Sequence, residues 1–367
     1  MAFTAEDHLY MTRALQLAEQ GLYTTMPNPR VGCVIVKDGP KGKIIVGEGA
    51  HLKAGEPHAE IRALQQAGAA AKGATLYVTL EPCSHTGLTP PCSQAIVDAG
   101  IIKVIAAMQD PNPQVAGGGL AHLQANKIEV ASGLMQAQAE ALNPGFISRM
   151  TLQKPFVRCK IAASLDGKTA LSNGASQWIT SEPARLDVQH WRARSCAILT
   201  GIGTVLSDNP SMNVRLENAS RQPLKVIVDS QLKTPIDAKI LQGGNVLIAF
   251  AIDVNNRADA MFEQGVELLC IPNTDGKVCL KTLLSHLASQ QINEVLCEGG
   301  EGLNGALLAQ GLIDELLIYY APKLMGSAAK SLFAIPALTQ MSQAIDLQII
   351  ELRHIGTDIR LRAKPLC

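Results

Sequence analysis

The sequence predicts two α/β domains in tandem. Three observations carry that prediction. The chain has 367 residues, more than a single hydrophobic core usually serves. Short β-branched runs alternate with helical 3.6-residue patterns along both halves, the order that builds a layered α/β sheet. The alternation breaks at residues 143–155, N-P-G-F-I-S-R-M-T-L-Q-K-P, where two prolines and a glycine leave no clear period. We place the domain boundary there, with one domain over residues 1–147 and the other over 153–367.

In the first half, Thr4 and Asp7 are spaced as a capping box, and Met11, Ala14, Leu15 and Ala18 recur on one face, predicting a helix over 5–20. Pro27-Asn28-Pro29-Arg30 is a turn, because two prolines cannot continue a helix. On spacing alone Asn28 is a turn residue more readily than a pocket residue. Val31–Val36 and Lys43–Gly47 predict a strand hairpin, His58 to about Gln66 a helix, and Ala74–Leu80 a strand. Cys92 opens a further helix to about Ala99, followed by a strand over Lys103–Met108. This alternation implies a three-layer α/β/α sandwich, its sheet largely parallel beyond the hairpin. Asp110-Pro111-Asn112-Pro113 is by default a turn at a strand end, with a place in the pocket lining as the alternative.

In the second half, strands are predicted over Pro155–Ala163, Ala197–Gly201, Leu224–Asp229, Asn245–Ala251, Glu267–Ile271 and Glu294–Cys297. Ser181 is placed to cap a helix over Glu182–Arg194 that carries Arg185, Arg192 and Arg194, any of which could grip a phosphate. Leu280, Leu283, Leu284 and Leu287 form a core helix face. Ile313–Ala321, Leu347–Leu352 and Thr357–Ala363 close the chain, the last two as an antiparallel edge hairpin.

Composition bounds the function. A hydrophobic fraction of 47% with 17% charged residues suits a folded core. Lys plus Arg equals Asp plus Glu at 32 each, and aromatics are 4%, so the basic, aromatic footprint of a nucleic-acid binder is missing. This disfavours a polynucleotide-editing enzyme and favours a small-molecule substrate. Nine cysteines, an odd count with several in apolar runs, suit free thiols in a reducing compartment. The N-terminal residues lack signal-peptide character, and no apolar segment is long enough to span a bilayer. The expectation is a cytoplasmic protein with no membrane partner.

Two pieces carry the chemistry of the first half: His58-Ala59-Glu60, and Pro82-Cys83 with Pro91-Cys92. One imidazole and two thiolates hold zinc and leave its fourth position for water, the habit of catalytic rather than structural sites. Glu60 then remains free to move protons. A closed structural site is the alternative, with its fourth ligand among His51, His85 or Cys33. A thiolate at a helix N-terminus, as at Cys92, is expected to have a lowered pKa. This pattern is that of zinc deaminases of nucleobases, H-x-E followed by P-C-x-x-C, except that eight residues separate the cysteines. The insert, with His85, Thr86, Thr89 and Pro90, is expected to form part of a substrate pocket.

In the second half, Gly300, Gly302 and Gly305 satisfy G-x-G-x-x-G between a strand and a helix. No acidic residue follows at the spacing of a Rossmann ribose contact. We read the motif as a dinucleotide phosphate loop in a non-Rossmann sheet, with a tight structural turn as the alternative.

The string P-C-S-H-T-G-L-T-P-P-C resembles the deaminase of riboflavin biosynthesis. K-I-A-A-S-L-D-G-K-T-A, S-Q-W-I-T-S, A-I-L-T-G-I-G-T-V-L-S-D-N-P, V-I-V-D-S and C-E-G-G-E-G-L-N-G-A-L-L resemble the reductase half of the bifunctional enzymes of that pathway. The resemblance implies a cytidine-deaminase-like domain followed by a dihydrofolate-reductase-like one. It implies zinc on His58, Cys83 and Cys92 with Glu60 catalytic, and it moves Asn28 into the pocket. It implies NADPH contacts at Ala162, Trp178, Thr204, Asp208, Ser230, Gly300, Glu301, Gly302, Leu303, Asn304, Gly305 and Ala306. Substrate contacts follow at Ser176, Arg192, Met212, Arg215 and Glu298, with Arg192 and Arg215 on the phosphate and Lys160 within reach. Met212 stands where the family has leucine. The implied reactions are deamination of a phosphoribosylated diaminopyrimidinone, then reduction of its ribosyl to a ribityl chain, in a homo-oligomer.

Overall fold

The computed structural model describes residues 3–40, 42–84, 91–113, 115–217 and 219–366. The chain divides into two compact units, Met1–Gln153 and Lys154–Cys367.

In the first unit, α1 (Ala5–Glu19) begins at the expected capping box: Asp7 N–H donates to Thr4 Oγ1 at 3.1 Å and Thr4 N–H to Asp7 Oδ2 at 2.8 Å. A hairpin of β1 (Gly32–Gly39) and β2 (Gly42–Ala50) leads to α2 (Ala59–Ala67). There follow β3 (Thr75–Val78), α3 (Cys92–Asp98), β4 (Lys103–Ala106), α4 (Gly118–Ala125), β5 (Glu129–Ser132), α5 (Gln136–Leu142) and α6 (Pro144–Leu152). The sheet order is β2-β1-β3-β4-β5. Only β3, β4 and β5 run parallel, since β1 joins β3 antiparallel.

Gly32 packs on α1, where a Cβ would sit 1.9 Å from the Ala14 carbonyl oxygen; at Gly49 the same addition would meet the Ala59 oxygen of α2 at 2.1 Å. Gly49 pairs with Cys33, the neighbour of Gly32, so α1 and α2 lie on opposite faces of the sheet. Close backbone contact between β2 and α2 is what brings His58 and Glu60 to the end of the sheet.

The segment expected to be an irregular linker is mostly α6. Pro144 occupies its first turn, where proline's fixed φ suits a helix. The Asn143 side chain anchors its start by bonding both the N–H and the C=O of Arg30, at 2.8 and 2.9 Å.

The second unit runs β6 (Phe156–Ser164), β7 (Lys168–Ala170), α7 (Glu182–Arg194), β8 (Ala197–Gly201), α8 (Ile202–Asp208), β9 (Leu224–Val228) and β10 (Val246–Phe250). It continues with α9 (Ala258–Glu263), β11 (Glu267–Cys270), α10 (Leu280–Ser289), β12 (Glu294–Cys297), α11 (Glu301–Ala309), β13 (Glu315–Ala321), β14 (Lys330–Ser331), β15 (Asp346–Ile355) and β16 (Asp358–Leu366). Nine strands order as β11-β10-β9-β8-β12-β6-β13-β16-β15. The first seven are parallel, and the β15–β16 hairpin closes the edge antiparallel.

Alternation along β6 sends Val157, Cys159 and Ile161 into the core with Leu283, Leu287 and Leu307. The opposite face carries Arg158, Lys160 and Ala162. On that face Arg158 pairs with Glu294 and Glu315, each at 3.0 Å, while Arg360 reaches Asp187 at 2.8 Å and Glu351 at 2.9 Å. The Trp191 ring of α7 lies among Arg158, Arg194, Arg360 and Arg362, 4.7 to 5.7 Å away. These contacts seat α7 on the sheet. Ser181 is its N-cap by position, but its hydroxyl and N–H both donate to Asp358 Oδ2, at 3.0 and 2.8 Å, rather than its hydroxyl capping the helix.

Candidate active sites

The first site lies where α2 and α3 start. His58 is the residue before α2, and Cys92 is the first residue of α3. His58 Nδ1 is 3.2 Å from Cys92 Sγ and 3.7 Å from Cys83 Sγ, and the three ligand atoms lie within 4.8 Å of one another. Tetrahedral zinc with its usual Zn–N and Zn–S lengths needs about 3.6 Å between nitrogen and sulfur. The donor set therefore fits the ion. Among the described residues no fourth ligand joins the group. His51 instead bonds Asn28 Nδ2 through Nε2 at 3.1 Å, and Cys33 is fully buried. His85, Thr86, Thr89 and Pro90 lie outside the described residues.

A lowered thiol stands at Cys83. The hydrogen bond from Cys92, outweighing burial, holds Cys83 down at about 4, with His58 and the Cys92 N–H helping. That N–H, the first of α3, points at Cys83 Sγ from 3.3 Å. The helix terminus thus stabilises its neighbour's charge, and the Cys92 thiol is pushed up by donating to it. Glu60 is buried with 4% exposure and stands outside the ligand group. Burial pushes its carboxyl up to about 7, the Cys83 charge adding to this and its own N–H, His58 and Cys92 opposing it. The pocket above it measures 350 Å³ and is lined by Asn28, His51, Glu81, Asp110, Asn112 and Phe146 among others.

The second site is a cleft of 860 Å³ in the C-terminal unit. It opens at the carboxyl ends of β9, β8, β12 and β6, the place where parallel sheets bind ligands. Of the expected contacts, Ala162, Ser176, Trp178, Arg192, Thr204, Asp208, Met212, Arg215, Ser230, Glu298, Gly300, Glu301, Gly302, Leu303 and Ala306 line it. At its floor Arg192 donates to Glu298 through Nε at 2.6 Å and Nη2 at 3.0 Å, and Lys160 Nζ reaches the same carboxylate at 3.4 Å. Arg192 also donates to the Asn213 carbonyl at 3.0 Å. Burial alone would raise the Glu298 carboxyl, but the Arg192 and Lys160 charges overcome it and hold it at about 2. The Arg185 guanidinium stacks on Trp178 at 4.5 Å.

Residues 4–108 match the family described as the cytidine and deoxycytidylate deaminase zinc-binding region, and residues 155–361 match the RibD C-terminal domain. The riboflavin biosynthesis protein RibD of Escherichia coli (strain K12) is 48% identical over 97% of this chain and 98% of its own length. That of Haemophilus influenzae is 47% identical over 100% and 99%. The chain belongs to the RibD family. Among solved structures, Acinetobacter baumannii RibD superposes with a TM-score of 0.91 at 45% identity, covering 99% of each chain. The Thermotoga maritima diaminohydroxyphosphoribosylaminopyrimidine deaminase/5-amino-6-(5-phosphoribosylamino)uracil reductase gives 0.85 at 32%, covering 98% of this chain and 99% of its own. As a RibD, the chain is a bifunctional enzyme of riboflavin biosynthesis, a zinc-binding deaminase followed by an NADPH-dependent reductase.

Two residues expected on the RibD cofactor are turned away from the cleft. Asn304 is 1% exposed and donates to the Leu332 carbonyl at 3.3 Å. Gly305 lies under Ala334, whose oxygen a Cβ would meet at 2.1 Å. The glycine motif does not form a loop: Gly300 caps α11, while Gly302 and Gly305 lie inside the helix. Gly305 answers a packing need, and the open space at Gly302 and Gly300 faces the ligand side. Sequence reasoning missed Phe146 and Met150, pocket residues supplied by α6, and it missed Glu81.

Proposed function

We propose that the N-terminal unit deaminates a phosphoribosylated diaminopyrimidinone and that the C-terminal unit then reduces the ribosyl chain of the product to ribityl. The observation that carries the first step is a complete ligand triad beside a buried carboxyl that is not a ligand. When bound, zinc supplies the Lewis acidity that lowers the pKa of water from about 15.7 towards about 7. Glu60 would take one proton of the attacking water and deliver it to the ring nitrogen, then move the second, from the hydroxyl added to the ring carbon, to the departing amine, so that the C–N bond breaks, ammonia leaves and a carbonyl remains. His51 and Asn28 line the same pocket, held together by their 3.1 Å hydrogen bond.

In the cleft, bound NADPH would supply a hydride to C1 of the opened ribose, the C1–ring-oxygen bond having broken and that oxygen having taken a proton from water to become a hydroxyl. The backbone of Gly300–Leu303 at the start of α11, with Ala306, Thr204, Asp208 and Ser230, supports the cofactor's phosphates and sugars, and Ala162 and Trp178 border its reactive end. Asn304 and Gly305 act beneath it by holding α11 to the 332–334 segment. Ser176, Met212, Arg215 and Glu298 form the substrate side. Arg215, exposed in the cleft, takes the phosphate. Arg192 is committed to Glu298 and orients it.

A second copy of the chain fits the free edge of β15, which exposes Ile349 at 63% and Leu352 at 61%. The eight described cysteines are free, which supports a reducing, cytoplasmic setting. No helix among the described residues is long and apolar enough to cross a membrane.

The test uses the purified full-length chain. Ammonia release from the pyrimidinone and NADPH oxidation by the deaminated product are measured before and after stripping the metal. Chelation should abolish the first and spare the second. Ammonia release that survives complete loss of zinc would sink the proposal, as would a product that oxidises no NADPH.

A further inference from the structure

The carboxylate immediately before Pro82-Cys83 has an unusual set of partners. Glu81 is 5% exposed. Its Oε2 accepts from the N–H groups of Asp110 at 3.0 Å and Gly117 at 2.9 Å. Its Oε1 accepts from Gly119 at 2.9 Å and Leu120 at 3.2 Å. A carboxylate offers about four lone-pair sites, and here four backbone donors occupy them. Glu81 lines the deaminase pocket, but it has no acceptor left for a substrate. Two of its donors belong to the first turn of α4, whose N-cap Gly117 brings no side chain. Glu81 thus caps that helix from a distant segment. The same junction is tightened from the other side. A Cβ on Gly119 would sit 1.8 Å from the Pro82 carbonyl oxygen, so α4 rests directly on the backbone that delivers Cys83.

The described residues tied down in this way, 110–113 and 115–117, supply Asp110, Asn112 and Val115 to the pocket. We infer that Glu81 is a positioning residue for deamination: it fixes the distance between the zinc ligand Cys83 and the 110–117 wall, and so sets where the pyrimidine ring sits relative to Glu60. This rests on the proposed pyrimidinone as the substrate of the first pocket. A carboxylate is needed because every donor is a backbone N–H. An amide would turn an NH₂ group towards two of them.

The experiment compares Glu81→Gln, Gly119→Ala and the double variant with the wild-type full-length chain. Both single variants should raise KM for the pyrimidinone by roughly tenfold or more, since a misplaced wall weakens registration of the ring. The kcat should change less than KM. Zinc should stay at one per chain, which reports an intact N-terminal unit, and NADPH oxidation by the C-terminal unit should be unchanged. Because both substitutions loosen one junction, the double variant should fall short of the product of the two effects. Hydrogen exchange across 110–120 should quicken in each. An unchanged KM with unchanged exchange overturns the inference. So does loss of zinc, which would make Glu81 a support for Cys83, or a fall in kcat alone, which would make it part of the chemistry. If the wild-type chain released no ammonia from the pyrimidinone, the substrate reading would fall, while exchange at 110–120 would still decide the role of Glu81.

Discussion

Replacing Glu298 by glutamine tests the electrostatics of the reductase cleft in numbers. The carboxyl is held at about 2 against an ordinary 4.5. About 2.5 units at roughly 1.4 kcal/mol each come to about 3 kcal/mol. The side chain is 8% exposed, so solvent screening takes little from this figure. Its sign follows from the folded state binding the proton less tightly. The stabilisation is complete above pH 4.5 and is lost as pH falls through about 2; by about pH 3 more than half of it is gone. Glutamine also leaves Arg192 and Lys160 without a counter-charge, a change that typically costs several kcal/mol. Both tryptophans, Trp178 and Trp191, lie in the C-terminal unit, so urea unfolding followed by tryptophan fluorescence reports that unit alone. With an m value of about 2–3 kcal/mol/M, the midpoint at pH 7 should fall by roughly 1 M or more. The gap from wild type should narrow towards pH 3. A wild-type midpoint at pH 7, or a deficit that stays constant down to pH 3, would refute the assignment of Arg192 and Lys160 as the cause.

Further outcomes follow from the same contacts. Glu60→Gln should keep zinc and NADPH oxidation while slowing ammonia release by roughly 10²–10⁴; metal analysis beside an ammonia assay checks it, and near-normal turnover would remove Glu60 from proton transfer. Cys92→Ser should lose zinc and deamination together, with the reductase unaffected, as metal content and the two activity assays would show. Gly305→Ala pushes a methyl into the Ala334 carbonyl and should destabilise the C-terminal unit by about 1–3 kcal/mol. Its fluorescence midpoint should drop while ammonia release holds.

Much of the deaminase site was legible because its parts are local. His58 and Glu60 share a helix start, Cys83 leaves a strand and Cys92 opens a helix, and each follows from a short run of residues. Other parts were not legible. Phe146 and Met150 reach the pocket from a segment whose prolines and glycine looked like a linker. Its helical start depends on Asn143 bonding Arg30, 113 positions away.

The sequence by itself determined the period of the main strands and of α1, α2, α3, α7 and α10, together with the capping of α1. Such features depend on sterics and hydrogen bonds within a few residues, so neighbouring side chains suffice to specify them, whereas the zinc ligands were marked by their motif and brought together by the fold. Tertiary structure alone decided that Glu81 gathers four backbone donors, that Arg192 spends its charge on Glu298, and that Gly305 packs while Gly302 stays open. In each case the partner is remote along the chain, and only the packing of the sheet and its helices brings the two together.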